Sequence, residues 1–158
     1  MESVMEQFIP SDKSKGFSRL LKNISIAIAV LGIVNLMLSF FLAIIFEVAA
    51  LALFIVSYIS YVDYEYEVVN ETMTITKIYN CSRRKIIATF DRDEVKDVSL
   101  TRQSDINKKG SSICYNSRLE GLTVYTFELQ NNKKLQLALN EELEKMVKIY
   151  YRQFLTNY

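Results

Sequence analysis

From Ile24 to Val62 the chain is apolar almost without interruption, the exceptions being Asn35, Glu47, Gly32 and a few serines. As one straight helix this run would be roughly 58 Å long at 1.5 Å per residue. A bilayer core is about 30 Å thick and is crossed by about 20 residues. The run is therefore too long for one span and fits two short spans joined by a turn.

Four basic residues, Lys13, Lys15, Arg19 and Lys22, stand directly before the run. The positive-inside rule places that flank in the cytoplasm. The far flank opens with Asp63, Glu65 and Glu67, so charge alone would permit a single pass with the C-terminal part outside. Length favours a return. An acidic residue at mid-bilayer costs about 3 kcal/mol on insertion scales, so Glu47 is expected at the hairpin tip. The expected turn lies near Leu42–Val48, with spans over Ile24–Phe41 and Ala49–Val62. This predicts a multi-pass cell-membrane protein with both termini cytoplasmic. Phe40, Phe41 and Phe46 would face the outer interface, and Tyr58, Tyr61 and Tyr64 would form an inner aromatic belt. Glu47 could also be read as an intramembrane proton or ion site, but at a turn the loop reading is favoured. Asn35 is expected to hydrogen-bond between helices. A cleaved signal peptide has an apolar stretch of about 7–15 residues. This one runs far past any cleavage site, so it is read as retained.

The remainder has the composition of an ordinary folded domain. Nineteen basic and eighteen acidic residues give a net charge of +1, and no basic face points to nucleic acid. There is no histidine, which removes histidine triads, histidine metal sites and histidine pH switching. Cys81 and Cys114 match no disulfide framework or metal spacing, and unpaired thiols are the favoured reading. Neither metal nor cofactor is expected, and no catalytic residues are assigned.

After Asp63 the periodicity changes. Tyr64-Glu65-Tyr66-Glu67-Val68 alternates as a half-buried strand does. Further strands are predicted over Thr72–Tyr79, Arg84–Phe90, Val95–Thr101, Leu122–Gln130 and Lys134–Leu139, with at most one short strand near Ile113–Tyr115 inside the polar segment 102–121. Asn70-Glu71, Asn80-Cys81-Ser82 and Asn131-Asn132 read as turns. Asn140 is placed to cap a helix whose first turn carries Glu141, Glu142 and Glu144. Leu143, Met146, Val147, Tyr150 and Phe154 form its apolar face. Strands followed by one covering helix make an α+β arrangement. Three segments follow: an N-terminal basic segment over 1–22, a two-helix hairpin over 23–62 and a β-domain with its C-terminal helix over 63–158.

These residues resemble the bacterial pleckstrin-homology-like membrane proteins and, more narrowly, a group of small Firmicutes membrane proteins. The resemblance rests on Met5-Glu6-Gln7, Tyr64-Glu65-Tyr66, Ile75-Thr76-Lys77-Ile78-Tyr79-Asn80, Arg83-Arg84-Lys85 leading to Phe90-Asp91, and Leu137-Ala138-Leu139-Asn140-Glu141 leading into the Met146 helix. It implies a helical hairpin followed by a small antiparallel sheet or barrel capped by one helix. It carries no catalytic residues. Where that pattern has a proline before the final helix, this chain has Leu139-Asn140.

Arg83-Arg84-Lys85 is the one basic cluster of the β-part and the candidate contact for lipid or partner. Near an anionic surface each basic residue contributes about 1 kcal/mol. The alternative is a solvated strand end facing Asp91, Asp93 or Glu94, which the near-neutral charge favours. Ser82-Arg83-Arg84-Lys85 matches a serine acyl-enzyme pattern but falls on a hairpin instead of a helix. Lys108-Lys109-Gly110-Ser111-Ser112 has one glycine, which a flexible loop explains. Asn23-Ile24-Ser25, Asn70-Glu71-Thr72 and Asn80-Cys81-Ser82 fit glycosylation acceptors. Two functions are carried forward: a protein-interaction or assembly module, with a protein partner or a second copy of the chain, and a reader of anionic lipid headgroups. The bilayer is the expected partner in both.

Overall fold

The apolar run folds into two antiparallel helices, α1 (Asp12–Asn35) and α2 (Phe40–Ser60). They belong to the computed structural model of the chain, which describes residues 4–102, 105–106, 110–115 and 119–156. The helices meet through small residues. Ser11, Ser18, Ser25 and Gly32 recur every seven residues on one side, and Ala43, Ala50 and Ser57 on the other; all are buried. Small side chains let helix backbones approach closely, and hydroxyls then reach the facing carbonyls. Ser18 Oγ donates to Ser57 O at 2.8 Å, Ser57 Oγ donates to Ser18 O at 2.7 Å, and Ser25 Oγ donates to Ala50 O at 2.8 Å.

The turn of the hairpin lies at Leu36–Ser39, not at Leu42–Val48 as predicted. Asn35 stops the first helix by satisfying the chain locally. Its carbonyl accepts from Leu38 N and Ser39 N, and its side-chain amide donates to Leu31 O at 2.8 Å. Asn35 therefore bonds within its own helix and does not reach across to α2. Ser39 is extended and starts α2. Glu47 thus falls inside α2. A Cβ added to Gly32 would come 2.7 Å from Glu47 Oε1, so the missing side chain of Gly32 is what gives the carboxyl room.

Two compact units divide the chain, one made of 11–62 with 79–83 and the other of 1–10, 63–78 and 84–158. The segment 1–22, expected as one basic stretch, is split between them at Pro10. Its first part is a strand, β1 (Val4–Ile9), which pairs antiparallel with β2 (Val62–Val69), from Val4 opposite Val69 to Ile9 opposite Tyr64. Its second part is already helical from Asp12, where Ser11 Oγ accepts from Ser14 N at 3.1 Å as an N-cap.

The β-unit holds two sheets. In the first, β1 and β2 are followed by β3 (Thr72–Tyr79) and β4 (Arg83–Asp91), in the order β1-β2-β3-β4. In the second, β5 (Val95–Leu100), β6 (Ser111–Ile113), β7 (Thr123–Leu129), β8 (Lys134–Leu139) and β9 (Leu155–Thr156) take the order β6-β8-β7-β5-β9. The two short edge strands, β6 on β8 and β9 on β5, pair parallel, an exception to the expected antiparallel pattern. The helix α3 (Glu141–Tyr150) follows β8 directly, and Asn140 Oδ1 accepts from Leu143 N at 2.8 Å as its cap. Tyr66, Met73, Ile75, Phe90, Phe127, Leu137, Leu143, Val147 and Tyr151 form the core. Phe127 packs between Phe90 and Tyr151, with ring centroids 5.7 Å from each. The helix ends at Tyr150, and Tyr151, in the following turn, supplies the buried ring expected from Tyr150.

Polar bonds tie the sheets together where apolar contact alone would let them slide. Gln7 is buried; its Nε2 donates to Ala138 O at 3.0 Å and its Oε1 accepts from Asn140 N at 3.0 Å. The Tyr66 hydroxyl donates to Cys114 O and accepts from Ala138 N. Each bond leaves a buried polar group satisfied, which is worth about 1–3 kcal/mol against leaving it bare.

Candidate functional site

The candidate cluster sits at the start of β4. The turn before it needs two left-handed residues, and Asn80 and Cys81 take φ of 47° and 57°. Asparagine tolerates that region well. The turn packs beside the C-terminal end of α2. Asn80 N donates to Tyr61 O at 2.9 Å, Cys81 Sγ lies 3.2 Å from the Tyr61 hydroxyl, and the Tyr58 hydroxyl lies 3.4 Å from Ser82 Oγ.

Strand geometry divides the triplet. Successive side chains on a strand point to opposite faces, so Arg83 and Lys85 share one face and Arg84 takes the other. Arg83 groups with the helices, whereas Arg84 and Lys85 belong to the β-unit. Arg84 forms an ion pair with Glu65 at 3.3 Å, and not with Asp91, Asp93 or Glu94. Those acids are used elsewhere: Asp91 and Glu94 cap a single helical turn reciprocally. The three cations are exposed. They make the start of β4 a basic strand end.

The other sequence candidates are no more convergent. Ser82 and Lys85 lie on a turn and an exposed strand, and among the described residues the Ser82 side chain meets the Tyr58 hydroxyl and no base. Lys108 and Lys109 fall outside the described residues, and Gly110 takes a φ of 110°. Among the described residues no group of His, Cys, Asp and Glu side chains could hold a metal.

A groove of about 610 Å³ opens on the second sheet. Its floor is a row across three strands, Ser99 opposite Thr126 and Thr126 opposite Gln136. Thr101 and Thr126 hydroxyls lie 2.7 Å apart, and the Gln136 amide bridges the Tyr115 hydroxyl and Asp105 O. Arg102 and Lys134 stand at the rim, with Lys134 engaged to Glu128 at 2.8 Å. The lining is mostly polar, and Gln136 is buried with its amide bonded on both sides.

Titration behaviour argues the same way. Burial pushes the Cys114 thiol up to about 11 and holds the Tyr66 and Tyr151 phenols well above their usual range. Such groups are neutral at physiological pH and serve as packing and hydrogen-bonding elements. Glu128 is held down to about 2 by hydrogen bonds from Lys134 and Lys96, a surface ion-pair network.

Two features escaped sequence reading. The seven-residue spacing of Ser11, Ser18, Ser25 and Gly32 was present in the sequence and marks the helix contact. The Gln7 clasp had no local signal, because its partners lie at Ala138 and Asn140.

A family model described as a bacterial PH-like domain matches residues 1–156. No curated protein and no solved structure matches the chain.

Proposed function

We propose that this chain, which belongs to the bacterial PH-like domain family, is a membrane protein that presents its β-unit at the cytoplasmic face as a protein-interaction or assembly module. It has no catalytic role, and neither metal nor cofactor is part of its working form. The hairpin crosses the bilayer twice and returns both termini to the cytoplasm.

The observation that carries the membrane reading is the burial pattern of the hairpin. Both helices are long and apolar enough to cross, yet only 11% and 17% of their most apolar stretches are buried. A core helix of a water-soluble protein would be mostly buried. Retention of the run is supported by β1, since cleavage beyond α1 would remove a six-residue strand from the first sheet. Orientation is supported by Lys13, Lys15, Arg19 and Lys22 at the base of the hairpin.

The module reading is supported by the exposed β4 strand, with Ile86 63% exposed, at a sheet edge able to accept a partner strand. The headgroup reading asks Arg83, Arg84 and Lys85 to converge, and strand alternation separates them. The cross-linking test uses the full chain in cells and the headgroup test the full chain in neutral nanodiscs, because a fragment starting at Asp63 lacks β1. A photo-cross-linker at Ile86 should trap protein in cells, and one at buried Phe127 should not. Saturable, salt-sensitive binding of inositol trisphosphate that is lost on changing Arg83, Arg84 and Lys85 to Ala would replace this reading with the headgroup one.

A further inference from the structure

Resting on the membrane reading above, we infer that Glu47 is where two copies of the hairpin meet within the bilayer, each carboxyl hydrogen-bonded to the other. Glu47 is the one acidic or basic residue between Lys22 and Asp63, and it is exposed. It lies inside α2, roughly 10 Å along the helix from Phe40 at 1.5 Å per residue. Exposed apolar residues continue on both sides of it, Phe40, Phe41 and Leu42 toward the turn and Leu51 and Ile55 away from it. A glutamate side chain reaches roughly 5 Å, the rise of one helical turn, so it does not clear that apolar stretch.

Its polar neighbours in the helices are engaged. Ser25 and Ser57 donate to carbonyls of the facing helix, and Asn35 and Ser60 to carbonyls of their own. Glu47 has no hydrogen bond or ion pair among the described residues. Its carboxyl rests against Gly32, where an added Cβ would come within 2.7 Å of Oε1. Glycine gives it room and no side-chain partner. Ionisable side chains within a membrane span are costly and pair inside a bundle.

Charge and symmetry point to a second copy as the partner. The hairpin carries no cation at that depth, so another copy brings a second carboxyl and nothing of opposite sign. A carboxyl that holds its proton is both donor and acceptor, so two of them satisfy each other. Two copies inserted the same way are related by a two-fold axis along the membrane normal. That axis sets each residue at the depth of its own counterpart, so Glu47 meets Glu47 with no adjustment of register. Leu51 stands one turn further along the same face and joins the contact, whereas Ile45 lies on the opposite side of α2.

The test uses the purified full chain in phosphatidylcholine vesicles, with no other protein present. Cys81 is exposed and Cys114 buried, so one donor or acceptor dye per chain at Cys81 reports association by energy transfer. Transfer in the parent should persist to a protein-to-lipid ratio about tenfold lower than in Glu47→Leu. Glu47→Gln, whose amide is also donor and acceptor, should stay within about threefold of the parent. In a Cys81→Ser background, Leu51→Cys should form a disulfide between copies on oxidation and Ile45→Cys should not, although Leu51 is 61% and Ile45 50% exposed. A parent that is monomeric at every ratio, equal transfer in the parent and Glu47→Leu, a Glu47→Gln as weak as Glu47→Leu, or equal cross-linking at Ile45 and Leu51 overturns the inference and leaves the membrane reading intact. Binding of the parent to a labelled transmembrane peptide with a mid-span lysine, without transfer between parents, gives the site to a basic helix and also overturns it. A chain that fails to float with the vesicles overturns the membrane reading itself, and the inference with it.

Discussion

The two units are packed in opposite senses. The β-unit buries Tyr66, Phe127, Leu137 and Leu139 and shows water its lysines and glutamates. The hairpin buries Ser18, Ser25, Ala43, Ala50 and Ser57 and turns Val30, Ile33, Val34, Val48 and Leu51 outward. One unit gains stability by removing apolar surface from water, at about 25 cal/mol per Å². The other cannot, because its apolar surface remains outside. It is held by close backbone approach and hydroxyl–carbonyl bonds, the means by which helices associate through small residues. The contrast shows that a run of leucine and isoleucine says little about what holds a helix pair together. The small residues between them say more.

Mutations should separate the two regimes. The largest effect is expected in the β-unit. Phe127→Ala removes a fully buried ring that touches both Phe90 and Tyr151 and should cost about 3–5 kcal/mol. Hydrogen exchange should show the β-unit opening while the amides of α1 and α2 stay protected; equal loss in both units would break the comparison.

In the hairpin the sensitive direction is toward larger side chains. At Gly32→Val the new Cβ would meet Glu47 Oε1 at 2.7 Å and Phe46 Cβ at 3.1 Å. Overpacking of this kind costs about 1–3 kcal/mol. Spin labels on the outward faces of α1 and α2 should move apart, with the thermal unfolding of the β-unit unchanged. Ser57→Ala removes the bond from Ser57 Oγ to Ser18 O and leaves Ser18 Oγ donating to the carbonyl of residue 57, and it should cost about 0.6–2 kcal/mol of helix association. A Ser18→Ala, Ser57→Ala double variant should cost less than the sum of the singles, because the two hydroxyls share one contact.

The smallest effect concerns acid. Glu128 is held down to about 2 by Lys134 and Lys96. A carboxyl whose pKa is lowered on folding stabilises the fold fully above its ordinary value of 4.5, and the contribution fades as pH falls toward 2. Both lysines are about half exposed, so the total should be about 0.2–1 kcal/mol. Denaturant unfolding of Glu128→Gln should differ from the parent at pH 7 and converge with it near pH 2. A gap that persists at low pH would assign the effect to packing.

Much of the β-unit was legible because its strands alternate and its turns carry asparagine. Thr72–Tyr79 appears with the expected bounds, and Asn70, Asn80 and Asn132 all take positive φ. β1 was not legible. Its burial departs from hydrophobicity at two neighbouring positions, with polar Gln7 buried and Phe8 55% exposed. Its partner strand begins only after the whole hairpin. The Glu47 argument failed for a related reason. It assumed that only a turn could accept the carboxyl, whereas a glycine on the facing helix also makes room. The basic triplet was legible as charge, but its division between two faces of a strand is a matter of backbone geometry that the charges themselves do not carry.

The inverted packing of the hairpin is tested most directly by asking what surrounds its outward face. Two single-tryptophan chains suffice, Ile33→Trp in the hairpin and Leu100→Trp in the β-unit, where Leu100 is 53% exposed. In vesicles, Ile33→Trp should be quenched by brominated acyl chains and protected from aqueous iodide, and Leu100→Trp should show the reverse. Quenching of Ile33→Trp by iodide, with no response to the brominated lipid, would contradict a lipid-facing hairpin.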